Sequence, residues 1–136
     1  MILLDANVLM YAAGAEHPSK APSLALLDRI ARGSITAAAD VEVLQEILHR
    51  YRALRRWSDG RQVFDLARTI IPTWYPIDLT VMEQARSLLD RDPTMSARDA
   101  LHAAVYFAVG ADAFCSFDRD FDRIPGLTRI EPSQAR

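Results

Sequence analysis

Short apolar runs that stop abruptly on polar residues alternate along this chain with longer stretches of helical period. That alternation constrains its fold more than any other feature. Ile2-Leu3-Leu4 is too short for a helix and ends at Asp5, which fits a buried strand. "NVLMYAA" predicts a short helix that breaks near Gly14, and Ser19 to Arg32 a second, stopped by Gly33. "SITAA" predicts a strand. From Asp40 to Leu54 the apolar residues Val43, Leu44, Ile47, Leu48 and Tyr51 repeat with helical period. A further helix is expected from Ser58 to Ile70, and then a short strand, "WYPID", which its proline places at an edge. Thr80 opens a helix carrying Val81, Met82, Ala85, Leu88 and Leu89. "SARDALHAAVYFAVGA" is helical and apolar on almost every side, which predicts a central, buried helix. "DAFCSF" and "LTRIE" complete the strands. Strands alternating with helices predict a mainly parallel sheet with helices on both faces, and such sheets bind ligands beyond the carboxyl ends of their strands.

With half of its 136 residues hydrophobic and a quarter charged, the chain has the profile of one ordinary globular domain. Its single cysteine, Cys115, cannot form an internal disulfide, which fits a cytoplasmic protein; within "AFCSF" it reads as a buried thiol rather than a nucleophile. No run approaches the roughly 18 apolar residues of a membrane span, and no basic segment precedes the first apolar run as in a signal peptide. The net charge of −2 does not advertise nucleic-acid binding. Arg50, Arg52, Arg55, Arg56 and Arg61 nonetheless fall in one stretch, either a solvated helix face or a local patch for phosphates.

Three acids interrupt apolar segments at telling places. Asp5 ends the first strand, Asp99 lies at the start of the apolar helix, and Asp118 follows "AFCSF". In a parallel sheet, strand ends and the starts of the following helices share one edge, so all three gather there. The helix after "SITAA" offers Glu42 and Glu46. At about 100° per residue, Glu42 points almost opposite the apolar stripe while Glu46 borders its Val43 side, so Glu46 is the residue able to reach a cleft. Each acid has a structural alternative. Asp5 would serve as a helix cap, Asp99 as the partner of Ser96 in a capping box, Asp118 as a turn residue, and Glu46 as an exposed partner for Arg50. One architecture places all four at one edge, and that favours a shared site.

Crowded carboxylates repel one another, and a hard divalent cation, Mg²⁺ or Mn²⁺, relieves the repulsion through oxygen ligands. Zinc is poorly served by one cysteine and by His17, His49 and His102, which lack ligand spacing. An EF-hand beginning at Asp118 fails, because its sixth position is Arg123 and its twelfth Arg129. Asn7 and Ser116 flank acids at the same edge and suit hydrogen bonding to the ligands, with local turn bonding as the alternative. His102, one turn along from Asp99, reads as a core histidine with satisfied hydrogen bonds.

With "LLDANVLMYA", "VLQEIL", "RDALHAA" and "CSFDRDFDRIPGL" in this order, the chain resembles, over essentially its whole length, a PIN-domain ribonuclease, more narrowly the VapC toxins. The resemblance places the family's four acids on Asp5, Glu46, Asp99 and Asp118 and its polar companions on Asn7 and Ser116; Asp120 ranks below Asp118. It implies a three-layer α/β/α sandwich formed by a single PIN-like domain over residues 1–136. It also implies Mg²⁺- or Mn²⁺-dependent cleavage of RNA, a homodimer, and inhibition by a VapB-like antitoxin that offers a basic side chain to the acidic cleft. Arg50, Arg55 and Arg56 are the candidates for guiding substrate phosphates. A phosphatase of the haloacid dehalogenase type also begins with Asp after a strand. It would need a second acid where Asn7 stands and a suitably placed lysine, and Lys20 is the only one. A catalytically silent PIN-like binding or scaffold module is the remaining alternative.

Overall fold

Ile2, Leu3 and Leu4 are fully extended and buried, and they form β1 (Ile2–Leu4) at the centre of the sheet. A computed structural model describes residues 1–136. After β1 come α1 (Ala6–Ala13) and α2 (Lys20–Ala31), then β2 (Ala37–Asp40), α3 (Val41–Ala53) and α4 (Trp57–Ile70). The chain continues through β3 (Thr73–Tyr75), α5 (Leu79–Arg91), α6 (Ala97–Val109), β4 (Ala113–Cys115) and β5 (Arg129–Ile130). Short 3₁₀ turns over Arg119–Arg123 and Pro132–Gln134 complete the fold.

All five strands are parallel, in the order β3-β2-β1-β4-β5. Successive side chains point to opposite faces, so Ile2, Leu4, Ala37, Ala39, Ala113 and Cys115 enter one core, and Leu3, Ala38 and Phe114 the other. Because both faces are covered, the strands read as apolar runs rather than as an alternating pattern. The first core is closed by α1, α2, α3 and α4, and the second by α5 and α6. This division follows from handedness. The chain builds β1, β2 and β3 outward in one direction and then returns past β1 to lay down β4. With right-handed crossovers, that reversal puts the later helices on the opposite face. It also leaves a crevice at the carboxyl ends of β1 and β4, where the strand order reverses. No helix is long and apolar enough to cross a membrane.

Two expectations are corrected. The second strand begins at Ala37 and reaches Asp40, rather than spanning "SITAA". Ile35 is buried in the first core and Thr36 accepts a bond from the Ile2 N–H, but ladder pairing with β1 starts one residue later. Nor is α6 central. Its alanines Ala100, Ala103 and Ala104 pack inward, while Phe107 is 43 % exposed, so it forms part of an outer layer beside α5. A helix rich in alanine looks apolar all round without needing to be buried all round. The edge position of β3, followed at once by Pro76, is as its proline suggests.

The α3–α4 corner is tightly made. Arg56 N–H donates to Tyr51 O and Arg55 N–H to Arg52 O, with Arg55 in the left-handed region at φ 56°. That is the helix stop usually completed by glycine. Beyond it, Gly60 of α4 sits against Tyr51 of α3, and a Cβ there would lie 2.5 Å from the Tyr51 Cβ. Gly60→Ala is therefore expected to lower stability by about 1–3 kcal/mol in urea denaturation. Arg55→Gly, which relieves the left-handed backbone, is expected to raise it by up to about 1 kcal/mol. An unchanged urea midpoint for Gly60→Ala would show that the two helices separate without cost.

Candidate active site

Asp5 occupies the N-cap position of α1, yet its carboxylate makes no capping bond. It accepts instead from Ser116 Oγ at 2.5 Å. The register dictates this meeting: Leu4 pairs with Cys115, and Asp5 N–H donates to Cys115 O, so the next residues of β1 and β4 emerge side by side. Ser116 Oγ also accepts from Asn7 Nδ2 at 3.1 Å and from the Asp118 N–H at 3.0 Å, using its one donor and both acceptor positions. Asn7 Oδ1 accepts from the Phe117 N–H at 3.4 Å. Asn7 and Ser116 thus hold Asp5 between α1 and the loop after β4.

Asp99 enters from the first turn of α6. Ser96 caps that helix by accepting from the Asp99 N–H at 3.1 Å, but the return bond of a capping box is not made, and the half-buried Asp99 carboxylate faces the cleft. Asp118 does act as a turn residue, since its Oδ1 accepts from the Asp120 N–H at 2.9 Å. It lines the cleft as well. Carboxylate oxygens of Asp99, Asp118 and Asp120 lie within 4.8 Å of one another, although Asp120 is exposed and paired with Arg123.

Glu46 is buried. Its Oε1 lies 3.0 Å from His102 Nε2 and 3.2 Å from Arg98 Nε, while Asp40 Oδ2 lies 2.7 Å from His102 Nδ1. Asp40 Oδ1 in addition accepts from the Val43 N–H and so caps α3. Glu42 is not solvent-facing as its helical angle suggests. The neighbouring α6 covers that side of α3, and Arg98 Nε lies 3.8 Å from Glu42 Oε1. Asp40 and Arg98 are participants that the sequence reading passed over, and His102 is a core histidine whose two partners both belong to this region.

Asp5, Glu46, Asp99 and Asp118 all line one cleft of about 710 Å³, with His49, Arg50, Tyr51 and Arg56 on its α3–α4 wall. Arg55, also a candidate from sequence, lies outside this lining. Asp5, Asp99 and Asp118 have no arginine or lysine partner, whereas Glu46 does.

Residues 2–127 match the PIN domain. Ribonuclease VapC13 of Mycobacterium tuberculosis is 43 % identical over 130 residues, covering 96 % of this chain and 99 % of its own. The chain belongs to the VapC ribonucleases of the PIN-domain family. The crystal structure of Mycobacterium tuberculosis VapC20, described as a sarcin-ricin loop cleaving toxin, superposes with a TM-score of 0.78 at 18 % identity, over 96 % of this chain and 98 % of that one. A toxin–antitoxin complex from Klebsiella pneumoniae has the same fold, with a TM-score of 0.67 at 15 % identity over 97 % and 98 % of the two chains.

The electrostatics of this PIN domain follow from burial. The Asp5 carboxyl is pushed up from 3.8 to about 6, mainly by loss of solvent and further by the Glu46 charge, against the pull of His102. Asp99 is raised by burial and then by Asp118. Burial opposes charge on His102, but the Asp40 carboxylate and the hydrogen bonds to Asp40 and Glu46 overcome it and hold the imidazole well above 6.5. The Cys115 thiol is pushed up to about 12 by burial and by Asp5, so it is no nucleophile.

Because the folded value of Asp5 lies above its unfolded value, ionising it opposes folding. The penalty is absent below about pH 4, grows as pH rises toward 6, and reaches on the order of 3 kcal/mol above that. Asp5→Asn is therefore expected to raise the urea midpoint of metal-free protein at pH 7.5 and to leave it nearly unchanged at pH 4. A midpoint at pH 7.5 equal to or below that of the wild type would contradict this account of Asp5.

Proposed function

We propose that this chain is an Mg²⁺- or Mn²⁺-dependent endoribonuclease and the toxin of a toxin–antitoxin pair. The observation that carries this reading is the convergence of Asp5, Glu46, Asp99 and Asp118, from four separate parts of the chain, on one cleft. The donor set fits a hard cation. It consists of carboxylate oxygens, three of the four acids lack a basic partner, and both nitrogens of the nearby His102 are already taken by carboxylates. His102 therefore does not complete a nitrogen-containing metal site, although it lies within 4.8 Å of Asp5 and Glu46. We assign Asp5, Asp99 and Asp118 as ligands, with Glu46 binding directly or through water.

A cation held there would make coordinated water more acidic and would stabilise charge on the phosphoryl oxygens. The protein supplies the remainder. Asn7 and Ser116 orient the Asp5 carboxylate, and the Ser96 cap sets the first turn of α6 that carries Asp99. Arg50 and Arg56, which line the same cleft, are assigned to meet flanking phosphates, which the acids alone would repel. Arg55, at the same corner, is assigned only to the outer approach. Residues 1–136 are proposed to act as a single PIN-like domain and to form a homodimer in the cytoplasm. A VapB-like antitoxin is proposed to silence the enzyme by presenting a basic side chain to the acidic cleft. The likeness to VapC13 and the folds of VapC20 and the Klebsiella complex support this reading.

One feature favours the alternative of a silent binding module: Glu46 already carries partners of its own chain, Arg98 and His102. Activity measurements separate the two readings. Cleavage of single-stranded RNA should vanish in EDTA and return with Mn²⁺ or Mg²⁺, and Asp5→Asn, Glu46→Gln, Asp99→Asn and Asp118→Asn should each lower it by at least about 100-fold. Induced expression should arrest growth with the wild type and not with Asp99→Asn. Equal arrest by both, or no cleavage of any RNA with Mn²⁺ present, would decide for the binding module.

A further inference from the structure

His102 points from α6 into the interior with 1 % of its surface exposed and meets a carboxylate at each ring nitrogen, Asp40 at 2.7 Å and Glu46 at 3.0 Å. A ring nitrogen that carries a proton donates to the carboxylate it faces. Phe114 and Phe121 flank the ring, with centroids at 5.5 and 6.3 Å. Asp40 cannot turn away, because its other oxygen caps α3 through the Val43 N–H. Both ends of the imidazole therefore grip the same helix, at its cap and at Glu46. Arg98, one turn earlier on α6 and half exposed, reaches the same Glu46 oxygen at 3.2 Å. Glu46 Oε1 thus has the His102 hydrogen bond and the Arg98 ion pair, while Oε2 makes no hydrogen bond.

We infer that His102, oriented by Asp40, is a positioning residue for Glu46: it holds Oε1 inside the protein and leaves Oε2 as the single oxygen offered to a cation in the cleft. Glutamate has three rotatable side-chain bonds, and a buried carboxylate without a fixed donor would swing or protonate. The His102 bond and the Arg98 ion pair from α6 restrict that freedom, as the hydrogen-bond partners of ligating side chains do in metal sites generally. This role rests on the metal-dependent reading proposed above.

The test compares two amides at position 102 in the full chain by Mn²⁺ titration. By chain length, an asparagine amide reaches the place of Nδ1 and keeps the bond to Asp40, whereas a glutamine amide reaches the place of Nε2 and keeps the donor to Glu46. Both remove the ring, so their difference isolates the donor. His102→Asn is expected to weaken Mn²⁺ binding about 10–100-fold, and His102→Gln to stay within about threefold of the wild type. In a Glu46→Gln background, the loss caused by His102→Asn should shrink below about twofold. Equal affinities for the two amides, or an undiminished loss in that background, would overturn the role. If wild-type protein binds no Mn²⁺, the metal-dependent reading itself falls; if it binds and both amides match it, only the role of His102 falls. Should neither variant fold, ¹⁵N-histidine spectra of the wild type and Glu46→Gln decide. A slowly exchanging proton on Nε2 whose signal moves in Glu46→Gln is required; no proton on Nε2, or an unmoved signal, overturns the inference.

Discussion

A carboxylate placed in the interior at the end of the central strand is the constraint on which the rest of the structure depends. Asp5 follows three residues with nothing to offer it but hydrocarbon, so its polar contacts must come from elsewhere. The parallel register of β1 with β4 delivers Ser116 to it, and Ser116 in turn secures Asn7 and the start of the Asp118 turn. One hydroxyl therefore joins the two halves of the chain that meet where the strand order reverses. Burial raises the Asp5 carboxyl well above its ordinary range, so holding its charge there opposes folding. The site is stored electrostatic stress, held in place by a sheet whose two cores are otherwise ordinary.

The acids themselves were legible. Asp5, Asp99 and Asp118 each break an apolar segment, and the rule that parallel strands end at one edge brings them together without knowledge of any contact. Glu46 needed only helical geometry. The same reasoning was available for Asp40, since "AAAD" ends an apolar run as "ILLD" does. It was hidden by a strand boundary drawn too early, because Ile35 and Thr36 favour extended structure and alanine does not. The partners of His102 and Arg98 left no local trace. They depend on how α3 and α6 lie against each other, and Glu42 shows the same thing in reverse: its angle on α3 pointed to solvent until α6 covered that side.

The two walls of the cleft are built differently. The acidic side is pinned by strand ends, helix caps and buried hydrogen bonds, so its geometry belongs to the core. The basic side hangs on the α3–α4 corner, where Arg56 is paired with Asp59 and Arg55 sits in a backbone conformation that arginine rarely adopts. In the function proposed here, the acids act from the first side and the arginines of the corner meet the polyanion from the other.

Cys115 lies between the two halves of this arrangement, fully buried beside Leu4 and with its thiol held far from ionisation. Thiolate chemistry is closed to it while the sheet is intact. Disulfide reagents can label this protein only when the structure opens around β4, so the labelling rate counts openings of the core that covers it. The lone sulfur is a built-in clock for the opening of that core.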